Sequence, residues 1–253
     1  MGRQIKNICG EKFKTTEGYT ATVINHYSSR NIVIEFNDES KTIIEKVDIS
    51  QLRKGNVKNP NHRSIYKIGY YGQGVYKCRI NNKNTKYYAI WRNMFTRCYD
   101  PIVTERNKSY VDSTIIEEWH SFQNFAKWYE ENWKPYMEGW HLDKDILIKG
   151  NKVYSPETCC FVPPEINNLF TSRKKIKPNC QTGVRKRCNM FEARTTKNGN
   201  QIHLGYFDTC EEAFQAYKIA KEARIKEIAS KWRGKITEKC YHAMYTYKVE
   251  ITD

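Results

Sequence analysis

The chain has 253 residues, 39% of them hydrophobic and 13% aromatic, which is enough to build folded cores and argues against wholesale disorder. No apolar run is long enough to span a bilayer, and the opening MGRQIKNICGEKF lacks a signal-peptide core, so a cytoplasmic protein is expected. The 43 Lys+Arg against 28 Asp+Glu give a net charge of +15, which points to a polyanionic partner, nucleic acid before membrane, bound in a salt-dependent way.

Residues 1–75 carry the runs TATVINHY, NIVIEF and KTIIEKVDI, punctuated by Gly18, Asn37-Asp38 and Lys54-Gly55-Asn56. Alternation with β-branched residues predicts a small antiparallel β domain, barrel or sheet. Its tail, GNVKNPNHRSIYKIGYYGQGVYK, reads as a loop-rich linker. The period then changes. In KYYAIWRNMFTRCY, Ile90, Met94, Phe95 and Cys98 recur at helical spacing beside Trp91. STIIEEWHSFQNFAKWYEENW predicts a second helix capped by Ser113 or Thr114, with Ile116, Trp119, Phe122 and Phe125 as its apolar stripe. Trp119, Phe122 and Trp128 are assigned to the core rather than to a ligand platform.

Gly139–Tyr154 predicts a β-hairpin with its turn near Lys149-Gly150-Asn151, and Pro163-Pro164 suits the first turn of a helix PPEINNLFTS. Residues 171–187 hold seven basic side chains and no acidic one, which suits a phosphate-contacting connector. After it, TGVRKR, MFEARTT and QIHLGYF predict three short strands with turns at Cys188-Asn189 and Asn198-Gly199. A long helix capped by Thr209 follows, with a small-residue face of Ala213, Phe214, Ala216, Tyr217 and Ala220, and a last helix lies near 237–247. The nine cysteines form no C-x-x-C and read as reduced thiols; a zinc site from Cys159, Cys180, Cys188 and a histidine is the lesser alternative.

The segment GVRKRCNMFEARTTKNGNQIHLGYFDTCEEAFQAYKIA closely resembles the apetala/ethylene-response-factor DNA-binding domain. The resemblance implies a three-stranded sheet lying in the major groove with a helix behind it, and puts Arg185, Arg187 and Arg194 at DNA-contacting positions. The family's usual tryptophan near the second strand is absent, with Met190 and Phe191 in its neighbourhood. Lys186 and Lys197 in this unit, and Arg173, Lys174, Lys175 and Lys177 in the connector, complete the expected DNA-binding set.

The middle of the chain resembles the HNH endonucleases of phages, the ββα-metal group. WRNMFTRCY and EEWHSFQNFAKW match the helical lead-in, and LDKDILIKGNKVYSPETCCFVPPEINN parallels the site pattern. With the N-terminal segment, the resemblance is to free-standing phage homing endonucleases, acting in a host cytoplasm if phage-encoded. It implies a strand base, and one Mg²⁺, for which Mn²⁺ can substitute, stabilising the leaving oxygen. The candidates are His141, Asp143, Lys144, Asp145 and Asn167, with Asp143, Asp145 and Asn167 as metal ligands. Within one strand His141, Asp143 and Asp145 would share a face. The histidine usual in the group is out of register and its central asparagine is Thr158, so His141 and a carboxylate both stand as candidate base.

The expected architecture is therefore α+β and modular: a β domain at 1–75, an HNH-like ββα unit at 84–173, and a three-stranded sheet with helix at 174–253. The expected function is Mg²⁺-assisted, sequence-specific cleavage or nicking of double-stranded DNA, with no membrane partner. The alternative is a catalytically degenerate relative acting as a DNA-binding regulator, and an RNA-directed role is weaker still.

Overall fold

The three apolar runs near the N-terminus form the strands that their alternation predicts. In the computed structural model, which describes residues 7–170, 181–197 and 199–251, β1 (Lys12–Lys14), β2 (Thr20–Ser28), β3 (Asn31–Phe36) and β4 (Ile43–Val47) pair antiparallel in that order. Their inward residues Ala21, Val23, Ile32, Ile34 and Phe36 bury against Leu52 of α1 (Ile49–Arg53). Asp48 caps α1, its Oδ1 accepting the Ser50 N–H at 2.7 Å.

A short hairpin, β5 (Arg79–Ile80) and β6 (Lys83–Asn84), leads into α2 (Lys86–Tyr99), which buries Trp91, Met94, Phe95 and Cys98. α3 (Pro101–Arg106) follows, capped by Asp100. The next helix starts later than expected. Thr114–Ile115 is extended (β7), Glu117–His120 is a 3₁₀ turn, and α4 runs Phe122–Asn132. Ser113 and Thr114 therefore cap no helix. The β-branched run Thr114-Ile115-Ile116 disfavours helix, and the Trp119 carbonyl accepts a 2.8 Å hydrogen bond from the Trp91 indole instead of continuing a helix. Trp119, Phe122 and Phe125 are fully buried, and Trp128 packs on Trp119 with ring centroids 4.7 Å apart, so these aromatics are core.

The chain divides into two units, Met1–Val111 with Ile115–Tyr129, and Asp112–Thr114 with Glu130–Asp253. The division falls inside the expected 84–173 domain. The second unit holds β8 (His141–Asp143), β9 (Val153–Tyr154), β10 (Cys160–Val162) and α5 (Pro164–Phe170). After them come the antiparallel sheet β11 (Val184–Arg187), β12 (Met190–Lys197), β13 (Asn200–Phe207), then α6 (Cys210–Trp232) and α7 (Glu238–Tyr245). Thr209 and Glu212 close a capping box at the start of α6, worth about 1 kcal/mol.

β10, α5, the C-terminal sheet, α6 and α7 share one core, which Ile146, just past β8, also enters. Val162 and Ile166 bury together with Val184, Ala193, Phe214 and Ile228, each isoleucine contributing about 1.5–3 kcal/mol. Polar contacts tie α5 to α6: Glu165 Oε2 accepts from Lys231 Nζ at 2.7 Å and from the Trp232 indole at 2.9 Å, and Lys221 Nζ donates to the Leu169 carbonyl at 2.7 Å. Among the described residues, no helix is long and apolar enough to cross a membrane.

Candidate functional site

The strand–strand–helix is present, but its strands are not those of the expected hairpin. β8 pairs antiparallel with β10, Asp143 opposite Cys160 and His141 opposite Val162, while Val153–Tyr154 lies outside that pair. Asp143 causes the change. Its Oδ1 accepts the backbone N–H of Asp145 and of Ile146, both at 2.8 Å, which turns the chain and ends the strand as an N-cap aspartate would. The loop beyond it is fastened by Asn151, whose Nδ2 donates to the carbonyls of Lys144 and Val153, both at 2.7 Å. Thr158 holds the same loop by donating from Oγ1 to the Val153 carbonyl at 2.7 Å.

This geometry sorts the sequence candidates. His141 and Asp143 stand two apart on β8 and share a face, His141 exposed and Asp143 half-buried, while Leu142 points into the core. Asp145 does not share that face: it lies past the strand end, exposed, and pairs with Lys144 Nζ. Lys144 is itself buried, and its Nζ also donates to the Asn151 carbonyl at 3.0 Å, so it pins the loop and does not project toward solvent. Asn167 is half-buried on α5, which packs against β8.

Among the described residues, no group of three or more His, Cys, Asp or Glu side chains is placed to hold a metal ion. A divalent ion here must rest on a mixed donor set. Asp143 fits such an ion: its Oδ2 accepts no hydrogen bond among the described residues. Burial pushes its carboxyl above the usual aspartate range, against the pull of the Ile146 and Asp145 N–H groups, and a bound cation relieves that cost. Asn167, on the helix packed against β8, is the candidate for a second, amide donor. Asp145, held by Lys144, does not fit. A zinc thiolate site is no better served: burial pushes the Cys159 thiol up to about 12, Cys188 is exposed, and Cys180 lies outside the described residues.

The second cluster is on the C-terminal sheet. α6 packs on one face of β11, β12 and β13. On the other face, directly opposed residues Arg185, Glu192 and Tyr206 line up across the three strands. Arg187, Met190 and Arg194 follow by alternation, and a bulge between Ala193 and Arg194 sets His203 opposite Arg194. Glu192, with its side chain 2% exposed, anchors this face: it takes Arg194 Nη2 at 2.7 Å, Arg187 Nε at 3.4 Å and His203 Nδ1 at 3.0 Å. The hydrogen bond from Arg194, then that from Arg187, holds its carboxyl below the usual glutamate range.

Arg185, Arg187 and Arg194 are thus brought together. Lys186 and Lys197 are not: Lys186 alternates away, opposite Phe191, and Lys197 Nζ reaches Glu227 on α6 at 3.6 Å. Arg173, Lys174, Lys175 and Lys177 lie outside the described residues. The sequence reading missed Glu192, His203, Gln201 and Tyr206. Period-two alternation through MFEARTT would have found Glu192, two residues before Arg194. The bulge that selects His203 over Leu204 leaves no such signal. No family model matches the chain, and neither does any curated protein or solved structure.

Proposed function

We propose that the chain is a sequence-specific DNA endonuclease that nicks or cleaves double-stranded DNA by phosphodiester hydrolysis. The observation that carries this reading is the single core that joins an arginine-faced sheet to a strand–strand–helix bearing a desolvated carboxylate. Arg185 and Arg187, on one strand face, are spaced to fork onto bases or clamp phosphates. Mg²⁺, or Mn²⁺ in its place, would be held by Asp143 and Asn167 and would supply Lewis-acid stabilisation of the leaving oxygen. His141, exposed on the Asp143 face, takes the proton of the attacking water in this scheme. Lys144 keeps the loop in place.

One set of contacts favours the second reading, a DNA-binding regulator without chemistry: Asp143 Oδ1 is committed to a backbone turn and Asp145 to Lys144. Supercoiled plasmid carrying the DNA that flanks this protein's own gene, incubated with Mg²⁺, Mn²⁺ or EDTA, separates the two. The endonuclease yields nicked or linear product only with metal, and Asp143→Asn or Asn167→Ala lowers the yield at least about tenfold while leaving affinity within about twofold. Intact plasmid in every lane together with a clear gel shift would establish the regulator.

A further inference from the structure

His203 is the residue of the arginine face whose chemistry its neighbours specify most closely. Its Nδ1 lies 3.0 Å from Glu192 Oε1, and that carboxylate also faces Arg194 Nη2 at 2.7 Å and Arg187 Nε at 3.4 Å. Two guanidinium partners and a depressed pKa keep Glu192 ionised, and an ionised carboxylate only accepts hydrogen bonds. The proton of this contact therefore sits on Nδ1, and a neutral imidazole so fixed presents Nε2 as a bare acceptor. The side chain is 47% exposed, Nε2 has no partner among the described residues, and the ring packs on Tyr206 with centroids 4.7 Å apart.

The arginines of this cluster are donors only, and Tyr206, exposed beside the ring, carries a hydroxyl that can donate or accept. Arg187 keeps its two Nη groups, and Arg194 is committed through Nη2 to Glu192 and through Nη1 to Gln201 Oε1 at 2.9 Å. Donors suit guanine, whose major-groove edge offers only the acceptors N7 and O6. An acceptor suits the other chemistry of that groove, the exocyclic amine of adenine or cytosine.

We propose that His203 is a specificity-determining residue, its Nε2 accepting a hydrogen bond from the exocyclic amine of an adenine or a cytosine in the major groove. Glu192 is its positioning residue. The assignment rests on the sequence-specific DNA reading proposed above. Selection from a randomised duplex library at about pH 8, where imidazoles are neutral, tests it with the full chain. The wild type is expected to enrich a motif with one position whose identity depends on the His203 acceptor, and the base pair enriched there identifies whether the adenine or the cytosine amine is read. His203→Phe keeps a ring against Tyr206 but has no acceptor, so enrichment at that position alone should fall about tenfold. His203→Gln, whose amide both accepts and donates, should retain the amine-bearing base at that position and newly admit guanine. A His203→Phe variant that keeps the whole motif, or that loses affinity equally on every sequence, overturns the assignment. A wild type that enriches no motif overturns sequence reading itself, and the assignment with it.

Discussion

Asp143 uses its two oxygens differently. Oδ1 ends β8 by accepting two backbone N–H groups, and Oδ2 is left for chemistry. Burial raises the carboxyl pKa above the ordinary 3.8. For an acid shifted this way, the contribution to stability is complete below the unfolded value and is lost as pH rises through the folded value. Asp143→Asn keeps the acceptor oxygen and removes the charge. Its melting temperature should therefore gain on that of the wild type as pH rises from about 3.9, the unfolded aspartate value, toward neutrality. Thermal melts at fixed ionic strength across that range check this, and a pH-independent difference would mean that the carboxyl is not desolvated. Asp143→Ala removes the same charge and follows the same trend with pH, but it also loses both N–H partners and should lie about 1–2 kcal/mol below Asp143→Asn throughout. A carboxylate whose charge costs the fold stability would gain from a bound cation, in keeping with the role proposed for Asp143.

Elements were legible where their causes are local. Alternation and β-branching mark β2, β3 and the three C-terminal strands, Thr209 marks the start of α6, and Pro164 opens α5. The partner of β8 was not legible, because Gly150-Asn151 looks like a hairpin turn locally while β8 pairs with Cys160–Val162. Nothing in the intervening loop betrays that the Asp143 carboxylate ends the strand. The late start of α4 fails to show for a similar reason: its apolar spacing continues through residues that packing holds extended. Close approach of elements is equally hidden. Gly183, at φ +78°, lies under α6 so tightly that an added Cβ would meet the Tyr217 ring at 2.1 Å. Gly183→Ala should cost more than about 2 kcal/mol, summing a left-handed backbone penalty and overpacking, and should weaken DNA binding by loosening the sheet from its helix. Gly199→Ala, at φ +81° with nothing within 4 Å of the added carbon, should cost only the backbone share of about 1–2 kcal/mol. Denaturant melts of the pair check the difference; equal losses would show that Tyr217 does not bear on Gly183.

Over the whole molecule, a charge of +15 favours any polyanion, so on the proposed reading the problem the fold must solve is discrimination between DNA sequences. The two contributions separate by their salt dependence. Each phosphate neutralised lowers the slope of log K against log salt by about 0.9, whatever the sequence. The lysines at 174, 175 and 177, in a run without acidic residues, are expected to act in this way. Their joint replacement by alanine should flatten the slope by about 2–3 and weaken specific and non-specific DNA alike. Arg187 is held differently. Its Nε is spent on the buried Glu192, which orients the outer nitrogens on a rigid sheet. Arg187→Ala should cost about 1–3 kcal/mol on the selected site, with a much smaller loss on random duplex. Fluorescence anisotropy from about 50 to about 300 mM salt reads both effects. If the lysine variant leaves the slope unchanged, the connector touches no phosphate. If Arg187→Ala weakens both duplexes equally, that arginine is a phosphate clamp. Because the sheet and the strand–strand–helix share one core, an arginine that reads bases also fixes which phosphodiester lies near Asp143, so discrimination and cutting would depend on the same register.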